Sequence, residues 1–191
     1  MTLEQNIPMS QDCDRILIST QELDAITTRL ANEIQETYQS SPRKLVLVVI
    51  LKGSITFAAD LMRKIQLPVQ LEFMRVSSYG ASTKQSGEIR LIMDLERDDL
   101  PETDLLVVED IIDSGRTLSR LTQLLKNRNA GSIRTCTLLD KPSRREVDFT
   151  PDFCGAQIPD EFVVGYGLDY AEDYRHLPYV GVLKRSVYSH N

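Results

Sequence analysis

The sequence has few cysteines, and their arrangement excludes two common uses of them. Cys13, Cys136 and Cys154 are odd in number, far apart and without CxxC spacing. A disulfide framework or a structural zinc site is therefore not expected. This cysteine usage favours the cytoplasm as the compartment.

The sequence also lacks an excess of positive charge and any long apolar run. Its formal charge is −6 at pH 7, whereas sequence-independent binding of nucleic acid needs a basic surface. No apolar run approaches the roughly 20 residues that span a bilayer, and the first residues show no basic start followed by an apolar segment. We expect a soluble, untargeted protein with neither a nucleic-acid nor a membrane partner, in which any phosphate is bound locally.

Apolar runs alternate with helical patterns along the 191 residues, 41% of which are hydrophobic. That length is enough for one well-formed core. A helix is predicted over 19–39, where Ser19 and Glu22 have the pattern of a capping box. A second helix contains Ala58 to Ile65, and a third ends near residues 129–131. Strands are predicted at 45–51, 68–76, 88–95, 104–110, 132–140, 162–167 and 179–184. The alternation favours an α/β fold with a mostly parallel, twisted sheet flanked by helices.

A phosphate-binding turn is predicted where the strand at 104–110 ends. Residues 113–117, Asp-Ser-Gly-Arg-Thr, offer consecutive backbone N–H groups, a glycine for tight curvature, two hydroxyls and the positive end of the next helix. The GxxxxGK[ST] and GxGxxG patterns are absent here, which disfavours a nucleotide P-loop and a dinucleotide fold. The alternative is an ordinary capped helix start.

Two acids, Glu109 and Asp110, directly precede this turn. Carboxylates beside a bound phosphate would repel it unless they hold hydroxyls or a cation. A sugar diol is a natural partner, one sugar length from its own 5′-phosphate. The alternative interpretation is a solvated strand terminus.

The segment VVEDIIDSGRTL (107–118) resembles the phosphoribosyl-pyrophosphate signature of the type I phosphoribosyltransferases. The segments LKGS, SSYG, LLDKPSRR and PDEFVVGYGLDYAEDYR resemble the hypoxanthine-guanine branch in order and approximate spacing. The resemblance covers about residues 10–185 and implies one phosphoribosyltransferase domain over 1–191, with a small hood subdomain built from the chain ends. It also implies a mobile active-site loop at about 77–88, with Ser78 and Tyr79, that closes over the site.

Members of this family join a 6-oxopurine to the ribose of phosphoribosyl pyrophosphate and release pyrophosphate, with Mg²⁺ present and an oxocarbenium-like transition state. The resemblance implies that Glu109 and Asp110 face the ribose hydroxyls. Asp113 is expected near purine N7 as general base. The 5′-phosphate is expected on Ser114, Gly115, Arg116 and Thr117. The family often has lysine at position 116, and arginine offers a fork of donors instead.

The resemblance also implies a pyrophosphate site and a metal site. Lys52 and Gly53 match the pyrophosphate loop, in which the peptide before the lysine is commonly cis, and Arg175 matches a pyrophosphate-contacting arginine. The alternatives are a surface lysine and a surface salt bridge. Asp169 matches a residue that helps to hold Mg²⁺, a hard cation suited to oxygen ligands, and Glu109 and Asp110 are expected to share this role.

Three further residues match the family's purine site. Lys141 is expected to donate to the 6-oxo group, so that the amino group of adenine would face another donor. Phe162 is expected to stack on the base and Val163 to contact its edge through the backbone. The alternatives are a capping or solvated lysine and a phenylalanine of the strand core.

The resemblance thus implies a hypoxanthine phosphoribosyltransferase that also uses guanine, and a homodimer or homotetramer as is usual in the family. Phosphoribosyltransferases for other bases are the near alternative, and the use of xanthine is open. The distant alternative is a phosphoribosyl-pyrophosphate-binding regulator with little or no turnover. The acidic charge and the presence of Lys52, Asp113 and Lys141 disfavour it.

Overall fold

The computed structural model describes residues 7–78 and 89–189. Its strands are β1 (Cys13–Ile18), β2 (Lys44–Ile50), β3 (Val69–Ser78), β4 (Ile89–Met93), β5 (Thr103–Ile112), β6 (Ser132–Asp140), β7 (Phe153–Gln157), β8 (Val163–Val164) and β9 (Val180–Leu183). Its helices are α1 (Thr20–Tyr38), α2 (Ile55–Lys64), α3 (Arg116–Lys126) and α4 (Arg185–Tyr188). Short 3-10 helices lie at Ser10–Asp12, Leu100–Glu102 and Pro142–Arg144.

The larger sheet has the strand order β4-β3-β2-β5-β6-β7. All neighbours are parallel except β3 and β4, which are antiparallel. The central strands β2 and β5 are apolar on both faces, as expected for parallel strands covered on both sides. The predicted α/β fold with a mostly parallel sheet is confirmed.

Helices cover both faces of this sheet. Alternate residues of a strand point to opposite faces, so each central strand contributes apolar side chains to both layers. Leu47 and Val49 of β2 pack in the cluster that contains residues of α1 and α2. Val46 and Val48 pack in a second cluster with the leucines of α3. Helix α1 begins at the predicted capping box, in which the Ser19 and Glu22 side chains each bond the other's backbone N–H.

The smaller sheet, which we call the hood, has the antiparallel order β1-β9-β8. It is built from segments near the two ends of the chain, as the family resemblance implied. The prediction of a six-residue strand at 162–167 was wrong, since β8 has two residues. Gly165, Tyr166 and Gly167 have φ of 96°, 52° and 103°, outside the extended region, and so end the strand.

Two other expectations differ from the structure. Helix α3 ends at Lys126 with Asn127 as its C-cap, and the left-handed Asn129 (φ 59°) lies beyond it, so the predicted end near 129–131 was too late. Strands β1 and β7 were not predicted from the sequence. Strand β7 has only five residues, and its Gly155 packs directly on the carbonyl of Leu138, where a side chain would collide. Within the described residues, no helix is long and apolar enough to cross a membrane.

Candidate active site

The predicted site residues meet because parallel strands end at the same edge of a sheet. Lys52 and Gly53 follow β2, the acids and the turn at 113–117 lie at the end of β5, and Lys141 follows β6. These strands are neighbours in the order β2-β5-β6. Three separate stretches of sequence therefore contribute to one site.

The turn at 113–117 borders a cavity of about 150 Å³. The cavity is lined by residues 109, 111–115, 117 and 118. Gly115 has φ 79°, which only glycine adopts freely, and helix α3 begins directly after it. The backbone of the turn and the positive end of the helix thus face an open volume, as a phosphate cradle requires.

Arg116 lies in the turn but outside the cavity lining, because its guanidinium Nε bonds the Glu146 carboxylate at 2.6 Å. Ile111 does line the cavity and was not predicted as a site residue. It lies between the acids and Asp113 in the sequence. Its position at the end of β5, beyond the fully buried run, was the available signal.

Glu109 and Asp110 form a coupled pair of acids beside this cavity. Glu109 Oε2 is buried and has no hydrogen-bond partner in the structure, while Asp110 Oδ1 accepts from the Ile111 N–H at 2.8 Å. Burial raises the pKa of Glu109 well above its usual value, and the charge of Asp110 adds to this. Burial also raises the pKa of Asp110, although hydrogen bonds and Arg175 oppose the shift. An orphaned acceptor at this place suits a hydroxyl donor or a cation.

Gly53 lies against the Asp110 carboxylate, which would collide with a side chain at position 53. The preceding Leu51–Lys52 peptide is cis, as the family resemblance implied. Lys52 Nζ is 2.8 Å from Glu172 Oε2, and Arg175 Nη2 is 3.4 Å from the same oxygen. The structure therefore brings the two predicted pyrophosphate-binding cations to one point.

Asp169 shares Arg175 with this cluster. Its Oδ1 is 2.8 Å from Arg175 Nη2, and its Oδ2 accepts from the Glu172 N–H at 2.9 Å. Arg175 Nη1 also donates to the Gly167 carbonyl at 2.8 Å. Among residues 7–78 and 89–189, no group of three or more His, Cys, Asp or Glu side chains is gathered as a metal site.

Lys141 and Asp113 face each other across the cavity edge. Lys141 is 8% exposed, and its Nζ is 3.8 Å from Asp113 Oδ1. The alternative of a solvated lysine is wrong, because the ammonium is held against a carboxylate in a buried position. A donor and a proton acceptor thus lie side by side at the end of neighbouring strands.

Phe162 lies in the hood next to β8 and is 38% exposed, so the alternative of a strand-core phenylalanine is wrong. Its ring stacks on Tyr188 of α4, with centroids 4.9 Å apart, and meets Tyr170 edge-on at 5.6 Å. Val163 is buried and pairs with Val182 of β9. Ser78 is the last residue of β3, while Tyr79 and the rest of the predicted loop through residue 88 lie outside the described residues.

Comparison with known proteins gives a consistent result. A family model described as a phosphoribosyl transferase domain matches residues 13–171. A hypoxanthine phosphoribosyltransferase of Salmonella typhimurium is 49% identical over 166 residues, which cover 87% of this chain and 93% of that protein. A hypoxanthine-guanine phosphoribosyltransferase of Bacillus subtilis is 48% identical over 180 residues, covering 94% and 98%. A crystal structure of a hypoxanthine phosphoribosyltransferase from Staphylococcus aureus superposes with a TM-score of 0.91 at 43% identity, covering 97% of this chain and 99% of that one.

Proposed function

The chain belongs to the phosphoribosyl transferase family, and we infer from this that it is a purine salvage enzyme that transfers the 5-phosphoribosyl group to hypoxanthine. The products are inosine 5′-monophosphate and pyrophosphate. Guanine is the second base, because relatives of near-equal identity carry either the hypoxanthine or the hypoxanthine-guanine name. The reaction places the enzyme among the glycosyltransferases.

One observation supports this function most directly: Glu109, Asp113 and the turn at 113–117 line one cavity, and Asp113 Oδ1 is 3.8 Å from Lys141 Nζ. A nucleoside monophosphate needs these three kinds of contact, with its phosphate on the turn, its ribose on the acids and its base at the Lys141–Asp113 pair. The three relatives described above are all named as phosphoribosyltransferases. The relatives therefore disfavour the alternative of a regulator without turnover.

In the proposed reaction, the bond between ribose C1′ and pyrophosphate breaks and a bond from C1′ to purine N9 forms. Asp113 accepts the proton that leaves N7, as a general base. Lys141 donates to the 6-oxo group and holds the base in register. Glu109 and Asp110 stabilise the positive charge that develops on the ribosyl ring. Lys52, Gly53 and Arg175 bind the leaving pyrophosphate.

We propose Mg²⁺ as the cofactor, and the donor set fits it. The carboxylates of Glu109, Asp110 and Asp169 are hard oxygen ligands, and the unpartnered Glu109 Oε2 has a free acceptor site. Because the three carboxylates are not gathered at one point, they would contribute single ligands, and most of the coordination would come from water and oxygens of the sugar pyrophosphate. When bound, Mg²⁺ neutralises the charge of the leaving pyrophosphate.

An absorbance assay with phosphoribosyl pyrophosphate and hypoxanthine, guanine, xanthine or adenine tests this function. We expect turnover of hypoxanthine and guanine and none of adenine, because Lys141 offers a donor that the 6-amino group cannot accept. Turnover of none of the four, together with retained binding of phosphoribosyl pyrophosphate, would identify a regulator. The assay also decides whether xanthine is a substrate.

We further propose that the protein acts in the cytoplasm as a homo-oligomer and that residues 1–191 form one catalytic domain with its hood. The three cysteines are free thiols, which supports a reducing compartment. Ile55, Leu71 and Phe73 are exposed and border one apolar hollow beside α2 and β3. An apolar surface of this kind is expected to be covered by a second copy of the chain.

A further inference from the structure

Three consecutive backbone carbonyl groups at the start of the turn at 113–117 each accept a hydrogen bond from the segment 141–146. The carbonyls are those of residues 112–114. The backbone N–H of Lys141 donates to the first at 2.9 Å, the guanidinium Nη1 of Arg145 to the second, and the backbone N–H of Glu146 to the third at 3.0 Å. The three peptides from residue 112 to residue 115 are therefore each held on the side of segment 141–146.

This arrangement determines where the amide groups of the turn point. A trans peptide is planar and places its N–H opposite its carbonyl. With the carbonyls of 112–114 held on the side of segment 141–146, the N–H groups of 113–115 are directed to the other side. That side is the cavity, which residues 113–115 line. Fixing the carbonyls thus orients the donors that a phosphate would meet.

Arg145 is the donor that a mutation can remove, since the other two are backbone groups. Its Nη2 bonds the carboxylate of Asp140, which is 5% exposed at the end of β6. A planar guanidinium with two bonded nitrogens has a fixed orientation. Its Cδ also lies 3.0 Å from where a Cβ of residue 115 would be, so Arg145 packs on Gly115 as well.

We propose that Arg145 is a positioning residue for the transfer reaction. It acts through the turn, by holding the Asp113 carbonyl so that the amides face the 5′-phosphate and the Asp113 carboxylate stays beside Lys141. This role rests on the proposed function, because it presumes that the turn binds the phosphate of the nucleotide. Arg145 was not among the site residues predicted from the sequence.

Calorimetric binding of inosine 5′-monophosphate and of inosine separates the phosphate contribution from that of the nucleoside. We expect Arg145→Met to weaken binding of the monophosphate about tenfold or more, by the loss of one charge-assisted hydrogen bond, and to leave inosine binding unchanged. Arg145→Lys should recover part of the loss. Arg144→Met is the matched control, because Arg144 is 56% exposed and its ion pair with Asp160 lies at the surface. It should bind both ligands like the wild type.

A purely structural ion pair is the rival explanation, since Arg145→Met leaves the Asp140 carboxylate buried and unpaired. The double variant Arg145→Met/Asp140→Asn removes that charge. We expect the double variant to regain thermal stability without regaining affinity for the monophosphate. Recovery of both, or an equal loss of inosine binding in Arg145→Met, would overturn the proposal.

The wild type tests the premise separately. If wild-type protein binds inosine as tightly as inosine 5′-monophosphate, the phosphate site itself is misplaced and the proposed function fails. If the wild type prefers the monophosphate and Arg145→Met keeps that preference in full, only the role of Arg145 fails. Steady-state kinetics give a second readout, in which Arg145→Met lowers kcat and raises the KM for phosphoribosyl pyrophosphate, whereas Arg144→Met changes neither.

Discussion

At the residue scale, Glu109 combines a proposed binding role with an environment that lowers the stability of its charged form. Its carboxylate is desolvated beside Asp110, and its Oε2 has no partner. Such a group is unfavourable in the ligand-free protein and becomes favourable only when a hydroxyl or a cation reaches it. Functional sites often retain strain of this kind.

We predict that Glu109→Gln raises the melting temperature at neutral pH. The pKa of Glu109 lies above its unfolded value of 4.5, so the folded state binds the proton more tightly. The contribution of Glu109 to stability is therefore greatest below about pH 4.5 and is lost as the pH rises through its folded pKa. Thermal unfolding of both proteins between pH 4.5 and 8 should show a difference that grows with pH.

Glu36 is an exposed acid on α1, so Glu36→Gln is the control for the loss of one negative charge. Its melting temperature should not diverge from that of the wild type as the pH rises. Glu109→Gln should also bind phosphoribosyl pyrophosphate more weakly, since an amide replaces a carboxylate at the ribose. A lower melting temperature than the wild type at neutral pH would contradict the account of Glu109 as a desolvated acid.

Asp113 is predicted to act in proton transfer and little in binding. Asp113→Asn keeps the shape of the side chain and removes the proton acceptor, so kcat should fall by about 10²- to 10⁴-fold. The KM for phosphoribosyl pyrophosphate should change little. Steady-state kinetics with hypoxanthine measure both quantities, and Asp148→Asn, an exposed acid of the neighbouring segment, is the charge control. Equal turnover in Asp113→Asn would exclude the general-base role.

At the scale of elements, the segment between β8 and β9 has the most unusual backbone. Ala171, Glu172 and Tyr174 have φ of 52°, 72° and 74°. This backbone presents the Glu172 carboxylate to Lys52 and Arg175 at once. An internal anion thus sits on the two cations that are predicted to bind pyrophosphate.

We predict that Glu172→Gln binds inorganic pyrophosphate about two- to fivefold more tightly, because the ligand no longer displaces a carboxylate from these cations. The effect is small, since an exposed ion pair contributes only about 0–1 kcal/mol. Calorimetric titration with pyrophosphate and Mg²⁺ measures it. Asp173→Asn, the next acid in the same segment, controls for net charge. An equal gain in both variants would show that Glu172 has no specific part.

Helices and strands could be predicted from the sequence where the hydrophobic pattern lies within the element itself. The apolar run of β2 and the spaced leucines of α3 identify a buried strand and an amphipathic helix without tertiary information. The acids at 109 and 110 and the turn after them were likewise readable, because phosphate binding needs glycine and small hydroxyl residues in consecutive positions. The fold class follows from their alternation.

Elements that depend on distant partners were not predictable in the same way. Strand β1 forms by pairing with β9, which lies more than 160 positions later in the chain. Strand β8 ends early because the residues after it have positive φ, which its apolar sequence does not indicate. Arg145 was missed for a related reason. Its role depends on a turn 32 residues earlier in the chain, and arginine in a polar loop has no pattern of its own.

At the scale of the whole molecule, the apolar hollow beside α2 and β3 predicts self-association. Leu71 and Phe73 are two residues apart in β3, so their side chains lie on the same face, and each is 38% exposed. Ile55 is 50% exposed. We expect the wild type to be at least a dimer by light scattering. Phe73→Glu should shift it toward the monomer, because burying the new charge would be costly.

Ile16→Glu places the same change on an exposed apolar residue of the hood and serves as the control, which should keep the wild-type mass. Circular dichroism should confirm that both variants are folded. A monomeric wild type, or an equal effect of both substitutions, would contradict self-association through this face.

The pairing order of the hood has a consequence for protein synthesis. Among the described residues, β8 joins the rest of the small sheet only through β9, which is synthesised after every other strand. A nascent chain can thus complete the phosphate turn and its holding segment while the strand that carries Val163 still has no neighbour. We therefore expect the contact that Val163 is proposed to make with the base to form last, after the turn at 113–117 and Lys141 are already in place.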